Sequence, residues 1–286
     1  VKFSVIVPFL NERKYIADCV EALLRQDFAT AEREFIFVDN GSTDGSTAIV
    51  ASFPEIQLLS ETRKDPYLAR NRGIGQARGE YLLFLDADCQ AAPGWLAAMQ
   101  AAVAQRPADI LLGNIVFPSP APWALRFQQD YYNSKMGYLL SHELRVCYYG
   151  HAGNMGVRRG VFDEVGLFRG MPEVGDTAVI HDLMALRPDA RIRHVPEAEV
   201  VHLEVRNFRQ YLNKLGNCGG YTGYYESTHG FRPLNLGEKL AVMQHCAREH
   251  GYSPIQRGAL LVSLFIGWRA FERGKARTLA STAPDR

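Results

Sequence analysis

Residues 81–88 constrain this chain most: Tyr81, Leu82, Leu83, Phe84 and Leu85 form an unbroken apolar run that ends in Asp86, Ala87 and Asp88. A run without polar alternation suits a strand covered on both faces, and such strands belong to parallel sheets flanked by helices. The two acids then stand at the carboxyl end of a buried strand. Alternate side chains of an extended segment point the same way, so Asp86 and Asp88 can converge beyond the strand tip, where open α/β sheets take their ligands. Two oxygen donors there suit Mg2+ or Mn2+, which keep coordination places for phosphate oxygens. Two solvated acids at an ordinary strand end give the same pattern.

The residues before this run alternate strand and helix signals. Strands are expected at 3–7, 34–38, 56–60 and 80–85, and helices around Ile16, Val20, Leu23 and Leu24, at 46–52 and at 66–77. Repeated β-α units imply a doubly wound, mostly parallel sheet with right-handed crossovers. Beyond Asp88 the pattern loosens. A helix at 93–105, a strand at 110–117, a Pro-rich connector at 118–122 and an aromatic helix at 123–140 are followed by a glycine-broken strand at 150–157. A short helix at 161–165 precedes two short strands, 192–194 and 199–203, flanking Pro196, then a helix or loop at 206–225 and helices from Leu236 onward.

Composition supports a globular α/β chain: 286 residues, 47% hydrophobic, 22% charged and a formal net charge of +1. No block of Lys and Arg marks a nucleic-acid partner. Cys19, Cys89, Cys147, Cys218 and Cys246 are scattered without a Cys-x-x-Cys pair, so reduced thiols and a cytoplasmic location are expected. The chain starts directly in a strand-like run, so no signal peptide is expected, and its longest apolar run, 259–268, is too short to span a bilayer.

Several short segments, taken in order, carry a resemblance. Val5-Ile6-Val7-Pro8-Phe9-Leu10-Asn11-Glu12, Val38-Asp39-Asn40-Gly41-Ser42-Thr43-Asp44-Gly45-Ser46, Ala69-Arg70-Asn71-Arg72-Gly73 and Leu85-Asp86-Ala87-Asp88 resemble successive signatures of family 2 glycosyltransferases with the GT-A fold. The likeness continues through Gly153-Asn154-Met155-Gly156-Val157-Arg158-Arg159, Gly175-Asp176-Thr177 and Pro196-Glu197-Ala198-Glu199-Val200-Val201-His202. It implies transfer of a sugar from a nucleoside diphosphate donor with inversion at the anomeric carbon. It also implies a GT-A catalytic domain at 1–205, with a nucleotide-binding half at 1–90 and a smaller, irregular acceptor and metal half at 91–205, ahead of a C-terminal lid and helical extension at 206–286.

The resemblance assigns roles that the residue chemistry permits. Asp39 accepts the N3–H of a uracil ring, which favours UDP and then dTDP donors. Pro8 fixes the turn after the first strand, Glu12 faces the nucleoside, and Arg70 offers a fork to a base carbonyl or phosphate. Ser42 or Thr43 caps the helix after Gly45. Asp88 is the first ligand of Mn2+ or Mg2+, Asp86 is shared between metal and ribose with Ala87 between them, and His202 is a third ligand, although a histidine at a strand end also serves structure. Asp176 is the base for the acceptor hydroxyl, with Asp182 and Glu173 as substitutes. The family commonly has Glu before this Asp, whereas the chain has Gly175.

Other readings remain. Leu85-Asp86-Ala87-Asp88 also fits a haloacid-dehalogenase-like phosphatase, and Gly175 supports a non-catalytic nucleotide-sugar-binding subunit. His151 is a candidate acceptor contact or a structural residue. Arg206, Arg209, Lys214, Tyr224 and Tyr225 with Gly216, Gly219, Gly220 and Gly223 suit a closing loop or an irregular helix. The apolar stripe Leu260, Leu261, Leu264, Phe265, Trp268 and Phe271, bordered by Arg257, Arg269, Arg273, Lys275 and Arg277, suits peripheral contact with the inner face of a membrane, dimerisation or packing on the chain itself. A glycan, a lipid-linked intermediate or a small molecule is the expected acceptor class.

Overall fold

Two strands of the first unit, Phe3–Phe9 and Tyr81–Leu85, are buried from end to end. The computed structural model describes residues 2–170, 174–229 and 231–281. Its residues group into two compact units, Val1–Val116 with Tyr149–Leu203 and Phe117–Tyr148 with Glu204–Arg286. In the first, β1 (Phe3–Phe9), α1 (Ile16–Leu24), β2 (Arg33–Asp39), α2 (Ser46–Ala51), β3 (Ile56–Ser60), α3 (Pro66–Ile74) and β4 (Tyr81–Leu85) repeat strand and helix. β5 (Cys89–Ala91), α4 (Trp95–Gln105) and β6 (Ile110–Val116) follow. After α5 (Trp123–Ser141) in the second unit come β7 (Asn154–Arg158), α6 (Gly160–Val165), α7 (Gly175–Leu186) and β8 (Ile192–His202), again in the first.

The sheet has eight strands in the order β3-β2-β1-β4-β7-β6-β8-β5. β1 runs parallel to β2 and β4, β2 to β3, and β6 to β8. β7 is antiparallel to both β4 and β6, and β5 to β8. Every residue of β1 and β4 is buried, including the one polar residue, Ser4, whose hydroxyl donates to Glu34 and accepts from the Gly79 N–H. Asp65 starts α3 by accepting from the backbone N–H groups of Tyr67 at 2.7 Å and Leu68 at 3.1 Å, with Pro66 in the first turn.

Several expectations need correction. Pro8 lies inside β1, not in a turn after it, paired with Val38; the β1–β4 ladder ends at Ile6, before a residue that has no N–H to give it. The two strands expected around Pro196 are one strand, β8. Its pairing with β6 jumps from Gly113↔Val195 to Asn114↔Glu199, so Pro196, Glu197 and Ala198 form a bulge where a missing N–H does no harm. Two elements had no sequence signal, the three-residue β5 and the helix α7.

The bulge is held from below by Asn154. Its side-chain Nδ2 donates to the carbonyls of Asn114 at 2.8 Å and Ala198 at 2.7 Å, while its Oδ1 accepts from Trp95 Nε1 at 2.9 Å. One buried amide thus ties β7, β6, β8 and α4 together.

The second unit contains α5 with α8 (Phe208–His229), α9 (Leu236–Glu249) and α10 (Pro254–Ser281). Phe127, Cys246, Ala247 and Leu260 form a core that Tyr131, Met243, Tyr252, Ala259 and Leu264 extend. Of the segment expected as helix or loop at 206–225, residues 208–225 belong to the continuous α8. Its glycines serve close packing: a Cβ on Gly219 would overlap the Phe271 carbonyl oxygen of α10, and one on Gly274 that of Gly216. Gly223, Tyr224 and Tyr225 fall outside the residues whose side chains are described.

Replacing Asn154 by Ala strands a buried indole N–H and two buried carbonyls. We expect a loss of about 2–4 kcal/mol in urea unfolding, since each such group costs about 1–3 kcal/mol and some regain water.

Candidate active site

The carboxyl ends of β1, β2 and β4 carry most of the residues singled out by the sequence. Two loops meet beyond β1 and β2. Asn11, at φ 58°, accepts from the Thr43 N–H at 2.8 Å through its Oδ1 and donates its own N–H to Ser42 Oγ at 3.0 Å. Asparagine tolerates that left-handed backbone better than most side chains. Arg13 N–H donates to Asp44 Oδ2 at 2.9 Å, which closes the pair of loops.

Asp39 ends β2 and is buried. Its Oδ1 accepts from the Ser42 N–H at 2.8 Å and its Oδ2 from Thr47 Oγ1 at 2.8 Å. Asp44, and neither Ser42 nor Thr43, serves the start of α2, where its Oδ1 accepts from the Ser46 N–H at 2.9 Å. Glu12 is half-buried at the start of the turn that leads into α1.

Arg70, 5% exposed on α3, donates from Nη2 to Asp86 Oδ1 at 2.6 Å. Its guanidinium also lies over the Tyr67 ring, 5.1 Å from the centroid. The fork is therefore turned on the first acid of the pair. Asp86 begins a tight turn in which its carbonyl accepts from the Cys89 N–H at 3.0 Å, with Ala87 buried between the two acids.

The second acid meets a histidine from the far end of β8. β5 and β8 pair Cys89 with His202, and the Leu203 N–H donates to the Asp88 carbonyl at 2.8 Å. That ladder brings His202 Nδ1 to 3.3 Å from Asp88 Oδ2, with both residues buried. Asp88, Cys89 and His202 offer ligand atoms that all lie within 4.8 Å of one another. A carboxylate oxygen facing an imidazole nitrogen is a donor set that can hold a divalent cation, the carboxylate suiting Mn2+ or Mg2+ and the imidazole a transition ion. Beneath it, burial and the charges of Asp88, Asp86 and Glu12 push the Cys19 thiol well above its ordinary range, so it stays neutral.

Asp176 sits in the first turn of α7. Its Oδ2 accepts from the Ala152 N–H at 2.8 Å and its Oδ1 from the Thr177 N–H at 2.7 Å, while Thr177 Oγ1 accepts from the Gly150 N–H at 3.0 Å. Residues 150–153 run from there to the acidic pair: a Cβ on Gly153 would lie 2.7 Å from Asp86 Oδ2 and 2.6 Å from His151 Cε1. His151 accepts from the Gly153 N–H through Nδ1 at 3.0 Å, a bond that shapes this turn. Asp182 is engaged elsewhere, accepting from Arg169 Nη2 at 2.8 Å, and Glu173 lies outside the described residues.

Gly175 has a packing reason. A Cβ there would lie 2.9 Å from Tyr67 Cε1, so the ring of Tyr67 fills the place of any side chain. Burial, and then the charge of Asp176, raise the Tyr67 hydroxyl well above its ordinary range and keep it protonated. Tyr67 thus links Arg70 to Asp176. The sequence left it unmarked; its only signal was its place one helical turn before Arg70.

Comparison with known proteins decides the family. A sequence model described as Glycosyl transferase family 2 matches residues 4–166. The chain belongs to glycosyl transferase family 2. Glycosyltransferase AglE of Haloferax volcanii is 30% identical over 170 residues, 58% of this chain and 55% of that protein. The poly(ribitol-phosphate) beta-N-acetylglucosaminyltransferase TarS of Staphylococcus aureus is 35% identical over 117 residues, 39% of this chain and 20% of its own. The chain thus spans about half or less of these relatives. Among solved structures, residues 1–349 of S. aureus TarS with UDP-GlcNAc give a TM-score of 0.59 at 17% identity, covering 98% of this chain and 92% of that one. The mannosyltransferase PcManGT of Pyrobaculum calidifontis with GDP-Man and Mn2+ gives 0.62 at 19%, covering 99% and 79%. The family 2 chain has the GT-A fold of these neighbours.

If Tyr67 excludes a side chain at position 175, Gly175→Ala destabilises the family 2 chain by about 1–3 kcal/mol. Adding Tyr67→Leu should make the pair non-additive by at least about 0.5 kcal/mol in a thermal double-mutant cycle.

Proposed function

We propose that this chain is a metal-dependent, inverting glycosyltransferase that moves a sugar from a nucleoside diphosphate donor to an acceptor hydroxyl by direct displacement. The approach of His202 Nδ1 to Asp88 Oδ2 at 3.3 Å, beside an Asp86 already oriented by Arg70, carries this reading. Asp88 and His202 would hold Mn2+ or Mg2+, with Asp86 contributing toward the metal and the donor ribose. Such an ion supplies positive charge to a departing diphosphate.

The remaining residues bind and orient. Asp39 reads the N3–H of the base with the lone pairs its two hydrogen bonds leave over. Pro8, Glu12 and Ala87 border the nucleoside. Arg70 fixes Asp86 and offsets its charge. Asp176 takes the proton of the acceptor hydroxyl; its bonds to the N–H groups of Ala152 and Thr177 set its aim, and each oxygen keeps a lone pair for that proton.

The neighbours' bound UDP-GlcNAc and GDP-Man with Mn2+ support a nucleoside diphosphate sugar and a divalent cation. They differ in base, so the preference for UDP and then dTDP rests on Asp39. The packing of Gly175 against Tyr67 gives the missing acid a structural reason, which supports the catalytic reading over a non-catalytic subunit. Membership of family 2 likewise leaves the phosphatase reading without support. The acceptor would be a glycan, a lipid-linked intermediate or a small molecule.

Thermal melts with nucleoside diphosphates and Mn2+, Mg2+ or EDTA test the donor site. A ligand at about a hundred times its Kd adds about 2.7 kcal/mol, a rise of ~5–10 °C for a chain of this size. We expect that rise with UDP and Mn2+, absent with EDTA and in Asp88→Ala. An equal rise in Asp88→Ala would reject the metal assignment. Asp176→Asn should keep the rise and lower turnover by roughly 10²- to 10⁴-fold; undiminished transfer would place the base elsewhere.

A further inference from the structure

α10 is apolar on two opposite sides. One side carries Leu260, Ser263 and Gly267, all buried, and belongs to the core of the second unit. At 100° per residue the other side carries Ile255, Leu261, Val262, Phe265 and Ile266, with Trp268 at its margin. All six are exposed: Ile255 by 86%, Phe265 by 57%, Val262 by 55% and Trp268 by 42%. A second apolar side on a helix whose first is already packed expects cover of its own, and an exposed patch of large apolar side chains marks an interaction surface.

Charge selects the partner. The helix carries Arg257, Arg269, Arg273, Lys275 and Arg277 against a single acid, Glu272, which already accepts from Trp268 Nε1 at 3.1 Å. Arg257 lies between Ile255 and Leu261, and the other cations follow Trp268. Long arginine stems can lie along an apolar surface while their heads reach outward to an anion. A second copy is a poor match: at 100° per residue Arg269 and Arg273 lie on the exposed side, so pairing that side with itself would set two arginines of each helix against one acid, Glu272, and like charges repel. Among the described residues no helix is long and apolar enough to cross a membrane. An exposed apolar face that carries arginines and only one acid suits the headgroup boundary of an anionic membrane.

We infer that the exposed face of α10 seats this chain on an anionic lipid bilayer, with Leu261, Val262, Phe265, Ile266 and Trp268 entering the headgroup boundary and the arginines meeting lipid phosphates. The surface belongs to the second unit and the candidate active site to the first, and the inference stands whether or not that site transfers sugar.

The test is co-sedimentation of the full chain with vesicles of phosphatidylcholine alone or with about one-third phosphatidylglycerol. We expect pelleting with the anionic vesicles, weakened roughly tenfold or more by Phe265→Glu and by Arg269→Gln with Arg273→Gln, and reduced by salt. Tryptophan emission should shift to the blue on these vesicles, and Trp268→Phe should remove most of that shift. Circular dichroism melts verify each variant's fold; if Phe265→Glu unfolds, the double arginine variant and Trp268→Phe decide. No pelleting with anionic vesicles, or pelleting unchanged in the folded variants, would overturn the inference. So would a concentration-dependent dimer that is lost in Phe265→Glu and ignores vesicles, which would assign the face to a second copy.

Discussion

The candidate site depends on the short antiparallel pairing of β5 with β8. Three residue pairs seat His202 opposite Cys89 and bring its ring to Asp88. Neither side chain could hold that approach alone, since two buried polar groups on independent loops would lose more in ordering and desolvation than one contact returns. The ladder sets the positions in advance and spreads the cost over main-chain hydrogen bonds. The same arrangement explains why β8 is long and β5 is not: β8 must reach from its pairing with β6 to the edge of the acidic turn.

Charge balance then divides the two acids. Asp86 has a guanidinium at 2.6 Å, whereas Asp88 faces an imidazole. Neighbouring carboxylates repel unless each finds positive charge or a donor. Arg70 supplies that for the first acid from α3, and the second faces the His202 ring. Tyr67 lies under Arg70 and against Gly175, so the Asp86 side and the Asp176 side of the candidate site share one aromatic support. A missing acid in the sequence is, in the structure, a place taken by a ring.

Much of the nucleotide side was legible because its signals are local. Apolar runs marked β1, β2 and β4, and acids after those runs mark strand tips. What escaped the sequence depended on distant partners. The Arg70–Asp86 pair joins a helix to a later strand. α7 opens at Gly175 after Val174 in a left-handed conformation, a start with no capping side chain to announce it. Residues 117–148 read as a continuation of the first unit yet group with the C-terminal helices. On α10 the sequence displayed the apolar residues, but only packing could say which of them are covered.

The bulge at Pro196, Glu197 and Ala198 changes the phase of β8. Along an uninterrupted strand the even-numbered side chains would share one face, opposite to Val195. Three extra residues against β6 exchange the faces, so Val195 before the bulge and Ala198, Val200 and His202 after it are all buried. The loop-out therefore works as a phase changer: a β8 that continued from Val195 in simple alternation would present His202 on the far side of the sheet from Val195.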